Sequence, residues 1–200
     1  MIVYFDFLCP FAWRGLELMA LIGERPRLVH YSLVQGNHAE NPERRNPTWL
    51  LARQPLGEGS EFQQASLRAF MASHAARRQG EELAFAFALH LFRLRHVDGL
   101  KLDDPETARE AARRAGLDLE RFELALQDET GLRQELATDL EEAAHLGVFG
   151  TPTFVLGSGD AAYFRFAHLP ETRDDAERLW GTYVEVLSNP VRIETIKRPR

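Results

Sequence analysis

Strand-forming sequence occurs only near the two ends of this chain, and that division limits the folds open to it. Residues 61 to 146 are rich in Ala, Leu, Glu, Arg and Gln and carry no strand signal. Hydrophobic spacing and punctuation at Gly80, Asp98-Gly99 and Gly116 predict helices over 61–78, 81–96, 105–115, 119–127 and 130–146. Asp104-Pro105-Glu106 and Asp118-Leu119-Glu120 are helix starts, each with a capping aspartate and early acids that suit the helix dipole. Before this block, residues 2–7 and 28–34 read as strands, with a helix over 11–22 that stops at Gly23 and Pro26. A helix between two strands in so short a span requires a right-handed crossover and parallel pairing. After the block, 151–156 and 163–166 read as strands joined through the Gly157-Ser158-Gly159-Asp160 turn, and a last helix runs from Pro170-Glu171 to Leu187. The expected order is β-α-β, helical insertion, β-β-α.

Within that order one side chain stands out chemically. Cys9 is the only cysteine, in Asp6-Phe7-Leu8-Cys9-Pro10-Phe11-Ala12-Trp13, where strand character gives way to helix. A thiol at the first turn of a helix faces unpaired N–H groups and the positive end of the dipole, both of which favour the reactive thiolate. Pro10 fits the first helical position, where its missing N–H costs nothing, so Cys9 is expected at the N-cap. An arbitrary lone cysteine is more often a small buried hydrophobe; the strand-Cys-Pro-helix context favours chemistry.

Cysteine count and charge remove other classes of function. One cysteine excludes an internal disulfide framework and a zinc site built on several thiolates. The seven histidines are scattered, without a His-Glu-X-X-His pattern, and no metal site is expected. Net charge is −6 with both signs mixed along the chain, so neither nucleic acid nor an anionic membrane is an expected partner. Leu83 to Leu94, the most apolar stretch, contains His90 and Arg93 and is too short to span a membrane. The apolar start Ile2-Val3-Tyr4-Phe5 lacks the marks of a signal peptide, and the expected location is the cytoplasm.

The element order, Cys9-Pro10 at the head of the first helix, and Gly147-Val148-Phe149-Gly150-Thr151-Pro152-Thr153-Phe154-Val155 before the hairpin together resemble the DsbA family of thioredoxin-fold proteins. The likeness is to its FrnE-like branch, which is similar to 2-hydroxychromene-2-carboxylate isomerases and kappa-class glutathione transferases. It implies a thioredoxin-like domain from residues 1–55 and 147–190, a helical insertion domain over 56–146 and a C-terminal tail over 191–200. It also implies that Pro152 follows a cis peptide bond beside the thiol, with Thr151 offering its backbone to an extended substrate or a thiol cofactor. On the same grounds Arg173, Asp174 and Asp175 fall where kappa-class relatives hold the γ-glutamyl end of glutathione. A solvated helix N-terminus explains those acids equally well.

The sequence departs from the dithiol pattern at Ala12, where Cys-X-X-Cys would place its second cysteine. A mixed disulfide at Cys9 therefore needs a thiol from outside the chain or from another subunit. The leading expectation is a DsbA-family oxidoreductase of monothiol type, with no tightly bound cofactor and with glutathione or another small thiol as cosubstrate. Its substrate would be a disulfide-containing protein or a small thiol or electrophile, and homodimerisation fits the resemblance. The isomerase and transferase relatives carry Ser-Pro where this chain has Cys9-Pro10, so an alternative is a thiol-dependent transferase or isomerase with Cys9 at the cofactor sulfur; a non-catalytic binding module is a third. Phe11 and Trp13 are either substrate platforms or core, Asp6 either tunes a proton or holds the strand end, and His38 and His145 are weaker candidate bases.

Overall fold

The computed structural model describes residues 1–196; the basic end, Lys197-Arg198-Pro199-Arg200, lies outside the described residues. Strand β1 (Ile2–Phe5), helix α1 (Pro10–Ile22) and strand β2 (Arg27–His30) form the first unit, and β1 pairs in parallel with β2. Strands β3 (Thr153–Val155) and β4 (Ala161–Tyr163) and helix α8 (Arg173–Leu187) form the last. Sheet order is β2-β1-β3-β4, with β3 antiparallel to both neighbours. Between the halves lie α2 (Leu33–Gly36), α3 (Glu61–Arg77), α4 (Glu81–His96), α5 (Pro105–Arg114), α6 (Leu119–Leu126) and α7 (Glu129–Leu146).

Alternation along the strands explains why both sheet faces are covered. Val3, Phe5, Leu28 and Phe154 point into the main core shared with α1, α8 and the inserted helices, while Tyr4 and Val29 face a smaller cluster with Ala143 and Val148. Helix starts follow the sequence signals: Ser60 makes a capping box with Gln63, and the Asp104, Asp118 and Asp128 side chains cap α5, α6 and α7. Glu17 of α1 takes a two-pronged bond from Arg93 of α4, at 2.6 and 2.7 Å, tying the insertion to the helix that carries the thiol. Among the described residues no helix is long and apolar enough to cross a membrane.

The first strand ends at Phe5 and not at 7, the third covers only Thr153–Val155 of 151–156, and the last helix starts at Arg173; two further strands differ more. The second strand stops at His30 because Ser32 accepts the Gln35 N–H and starts α2, so Leu33 and Val34 lie on a helical turn despite their strand propensity. The fourth strand is 161–163 rather than 163–166. Hairpin closure between Leu156 N–H and Asp160 O brings Ala161 and Ala162 into register at once, although alanine is a weak strand former. Phe164 N–H still donates to Pro152 O at 3.1 Å, but Pro152 has no N–H to return the bond and pairing ends there, with the Phe164 ring stacked on Tyr183 at 4.3 Å between ring centres.

Candidate active site

Cys9 is the N-cap of α1, with extended backbone and Pro10 at the first helical position. Its side chain does not cap the helix; the thiol donates instead to Thr151 O, 3.3 Å away. That contact joins residues 142 positions apart. The Thr151–Pro152 peptide bond is cis. Only 6% of Cys9 is exposed, and it sits at the floor of an open cleft of about 410 Å³ lined by Leu8, Pro10, Phe11, Leu33, Phe149, Gly150, Thr151, Tyr163 and Arg165.

The turn that presents Cys9 is fixed by Asp6. Its buried carboxylate accepts the Leu8 N–H at 2.9 Å and the Leu33 N–H at 2.8 Å, while its backbone carbonyl accepts the Cys9 N–H. Burial pushes this carboxyl up to about 6, against the two N–H groups that favour its charge. Of its two sequence readings, the strand-end hydrogen-bonding role matches these contacts.

Phe11 lines the cleft, whereas Trp13 turns away and stacks on His96 of α4, 5.8 Å between centres. Ala12 is fully buried in the core. His38 does not line the cleft; it stacks on Trp49 at 4.1 Å. His145, in the last turn of α7, is exposed and also lies outside the lining. Arg173, Asp174 and Asp175 open α8, and the Arg173 guanidinium donates to Ile22 O at the far end of α1. Thirteen helical residues separate the two ends of α1, a rise of about 20 Å, so these three are not brought together with the thiol. Their charges are engaged locally: Arg173 with Glu177, and Asp175 with Thr172 and Arg178.

Four contributors escaped the sequence reading: Gly15, Leu33, Tyr163 and Arg165. Arg165 stands over the Phe11 ring at 4.5 Å and near Tyr163 at 5.6 Å. Burial raises the Tyr163 phenol, and the Arg165 charge acts in the opposite direction. Gly15 was legible in principle, because a glycine inside a helix gives up about 1 kcal/mol relative to alanine and needs a packing reason. A Cβ there would stand 2.9 Å from Pro152 Cγ and 3.3 Å from the Phe154 ring. Gly15→Ala is therefore expected to lower stability by about 1 kcal/mol net, overpacking of about 1–3 kcal/mol exceeding the gain in helix propensity. Urea unfolding checks this; a midpoint at or above that of the parent means the Pro152 ring yields without cost.

Away from the cleft, His30, His74 and Asp139 form a buried cluster where β2, α3 and α7 meet. Asp139 accepts from the His30 backbone N–H at 3.1 Å and contacts His30 Nδ1 at 2.7 Å, with Arg77 at 3.7 Å. The carboxylate is engaged by His30 and Arg77, whereas His30 Nε2 and both ring nitrogens of His74 are buried without a hydrogen-bond partner. The three side chains bring ligand atoms within 4.8 Å of one another, a grouping that the scattered histidines of the sequence did not suggest.

Comparison with known proteins agrees with this geometry. The family model for a DSBA-like thioredoxin domain matches residues 1–171. Among curated proteins no significant sequence match is found. Among solved structures, the cytosolic disulfide reductase DsbM from Pseudomonas aeruginosa, solved with GSH, aligns with TM-score 0.57 and 19% identity, covering 92% of this chain and 98% of that one. A 2-hydroxychromene-2-carboxylate isomerase aligns with TM-score 0.63 and 18% identity over 98% of this chain and 100% of its own. A probable DsbA oxidoreductase from Streptomyces coelicolor gives TM-score 0.54 and 21% identity over 98% and 92%. At these identities the likeness is one of fold.

Proposed function

The chain belongs to the DSBA-like thioredoxin-domain family, and from that premise we propose that it is a thiol–disulfide oxidoreductase of monothiol type. The observation that carries this reading is the Cys9 sulfur, 3.3 Å from Thr151 O at the floor of an open cleft, in a chain with no second cysteine. The Cys9 thiolate attacks a disulfide R–S–S–R′, forming Cys9–S–S–R and releasing R′–S⁻. An external thiolate then attacks that mixed disulfide, taking R with it as a new disulfide and returning Cys9 as thiolate. Bonds and electrons balance without a further oxidant. Pro10 and Phe11 flank the sulfur at the helix start, and Thr151 lines the facing side, backed by Pro152 against Gly15, where an extended substrate backbone pairs as an added strand.

The external thiol in this scheme is a small one such as glutathione, supported by the DsbM neighbour solved with GSH. Residues 1–55 and 147–190 form the redox domain in this reading, and 56–146 the helical insertion, none of whose residues lines the cleft. A reducing, thiol-rich cytoplasm suits an enzyme that borrows its resolving thiol.

Intact-mass analysis after purification without reductant tests the proposal. The expected result is a small-thiol adduct on Cys9 that dithiothreitol removes and whose return requires a disulfide. A thiol that stays unmodified after exposure to a glutathione disulfide excess defeats it. A second reading, a thiol-dependent isomerase or transferase, is favoured by the apolar lining of the cleft. In that case Cys9 anchors the cofactor sulfur and forms no mixed disulfide.

A further inference from the structure

We propose that Arg165 selects for this cleft substrates that join a carboxylate to an apolar, preferably aromatic, body next to the reacting sulfur; the proposal rests on the thiol–disulfide reading above. The lining supplies the body's environment. Leu8, Pro10, Phe11, Leu33, Phe149 and Tyr163 are apolar or aromatic, and a cleft of about 410 Å³ is the size of an ordinary small-molecule site. Phe149 is 58% exposed at the rim, with its ring 5.6 Å from that of Tyr163. So large an apolar surface beside a nucleophile gains from a flat apolar ligand that covers it.

Charge within the lining comes from one side chain. Arg165 is the only ionisable residue there besides Cys9 and Tyr163, and no carboxylate lies within ion-pair distance of it among the described residues. Arg14, Arg25, Arg44, Arg45, Arg53, Arg68, Arg95 and Arg121 also lack an acidic partner within ion-pair distance among the described residues; what distinguishes Arg165 is that it lines the cleft of the thiol. Its guanidinium is held by the faces of Phe11 and Tyr163. A guanidinium carries five N–H donors in a fork that matches a carboxylate, more than the neighbouring Tyr163 hydroxyl can occupy, so donors remain for a ligand. Arg14, the other cation over Phe11, already donates to Phe166 O. Arg165 itself is exposed, so its contribution to selection comes from its place beside the apolar lining and the thiol, where one ligand can engage all three, and not from low dielectric.

Cys9 modification by two aromatic disulfides of similar size tests this: dithiobis(nitrobenzoate), which carries two carboxylates, and dithiodipyridine, which is neutral. In each case Cys9 thiolate displaces one aryl thiolate, whose absorbance gives the rate. Arg165→Gln is expected to slow the anionic reagent about tenfold, the size of one charge-assisted hydrogen bond, and the neutral reagent less than about threefold. Arg113→Gln, which removes the same charge from the exposed face of α5, is expected to change neither rate by more than about twofold. Equal slowing of both reagents by Arg165→Gln, or equal slowing of the anionic one by Arg113→Gln, overturns the assignment. If neither reagent modifies wild-type Cys9, the exchange chemistry itself fails. Selection is then read from non-covalent binding of naphthoate against naphthamide to Cys9→Ser: a tenfold preference for the acid that Arg165→Gln abolishes supports the proposal, and equal binding ends it.

Discussion

Cys9→Ser is expected to eliminate thiol–disulfide exchange, with turnover of a glutathione mixed-disulfide substrate falling by about 10³-fold or more. Serine preserves the N-cap and the shape of the cleft floor, so helix α1 and the contact with Thr151 O survive the change. What disappears is the nucleophile. A hydroxyl is scarcely ionised near neutral pH and forms no disulfide, whereas the thiol does both. The same variant separates the two enzymatic readings. An enzyme that uses Cys9 to hold the sulfur of a thiol cofactor keeps that donor in Cys9→Ser, and its rate should stay within about tenfold of the parent. Steady-state assays with a disulfide substrate and with an aromatic electrophile plus glutathione, run on both proteins, decide between them. Retained exchange activity in Cys9→Ser would exclude the monothiol mechanism outright.

The largest effect on stability is expected from Asp139→Ala. The Asp139 side chain is 8% exposed and draws together the His30 backbone N–H, the His30 ring and Arg77 from two other elements. Removing the carboxylate leaves the His30 backbone N–H and ring Nδ1 buried without a partner, while Arg77 keeps Leu28 O and Glu81, at a cost of about 2–4 kcal/mol. For a chain of this size that lowers the melting temperature by roughly 10 °C. Because the cluster joins the insertion to β2, the loss is expected to appear in global unfolding rather than as local fraying. A change under about 1 kcal/mol would mean that the neighbouring groups find other partners.

The same cluster sets the response to acid. Burial, reinforced for His74 by the charges of Arg77 and Arg78 and by His30, lowers both histidines, His74 to about 2; Asp139 and Glu135 act in the other direction and do not prevail. Both histidines are therefore neutral when folded and take up protons on unfolding below the free value of about 6.5. Stability from this source is present above that pH and is lost as pH falls. Asp6 has the opposite sign: raised to about 6, it binds a proton when folded and gains stability as pH falls from about 6 to 4. His90 and His96 are lowered by burial as well, so four histidine protons against one at Asp6 leave a net loss in acid. A denaturant midpoint lower at pH 5 than at pH 7 is the expected measurement, and an unchanged or higher one means that a histidine is already protonated in the fold.

Much of this molecule can be read along the chain. The β-α-β start, the inserted helices and the β-β-α close follow from hydrophobic period, capping aspartates and glycine stops. Gly23 and Gly147, for example, end α1 and α7 at positive φ. Cys9 was identifiable as an N-cap because strand, cysteine, proline and helix are adjacent in sequence. The limits of the second and fourth strands were harder to read. Ser32 and the hairpin at Asp160 override the propensities of Val34 and Ala161.

Sequence by itself determined the order of elements, the single thiol and the absence of an internal resolving partner, since each depends on residue identity or on neighbours within about one helical turn. The family resemblance pointed to Thr151 and Pro152 as neighbours of that thiol; tertiary structure decided the contacts themselves and the other groups that meet it. It set Thr151 against Cys9, packed Pro152 on Gly15, brought Arg165 over Phe11, and placed Arg173 at the opposite end of α1. It also closed His30, His74 and Asp139 into one buried cluster. The reason is physical: local periodicity says which face of an element is buried, whereas partners come from the packing of whole elements, whose register leaves no mark at a fixed spacing along the chain.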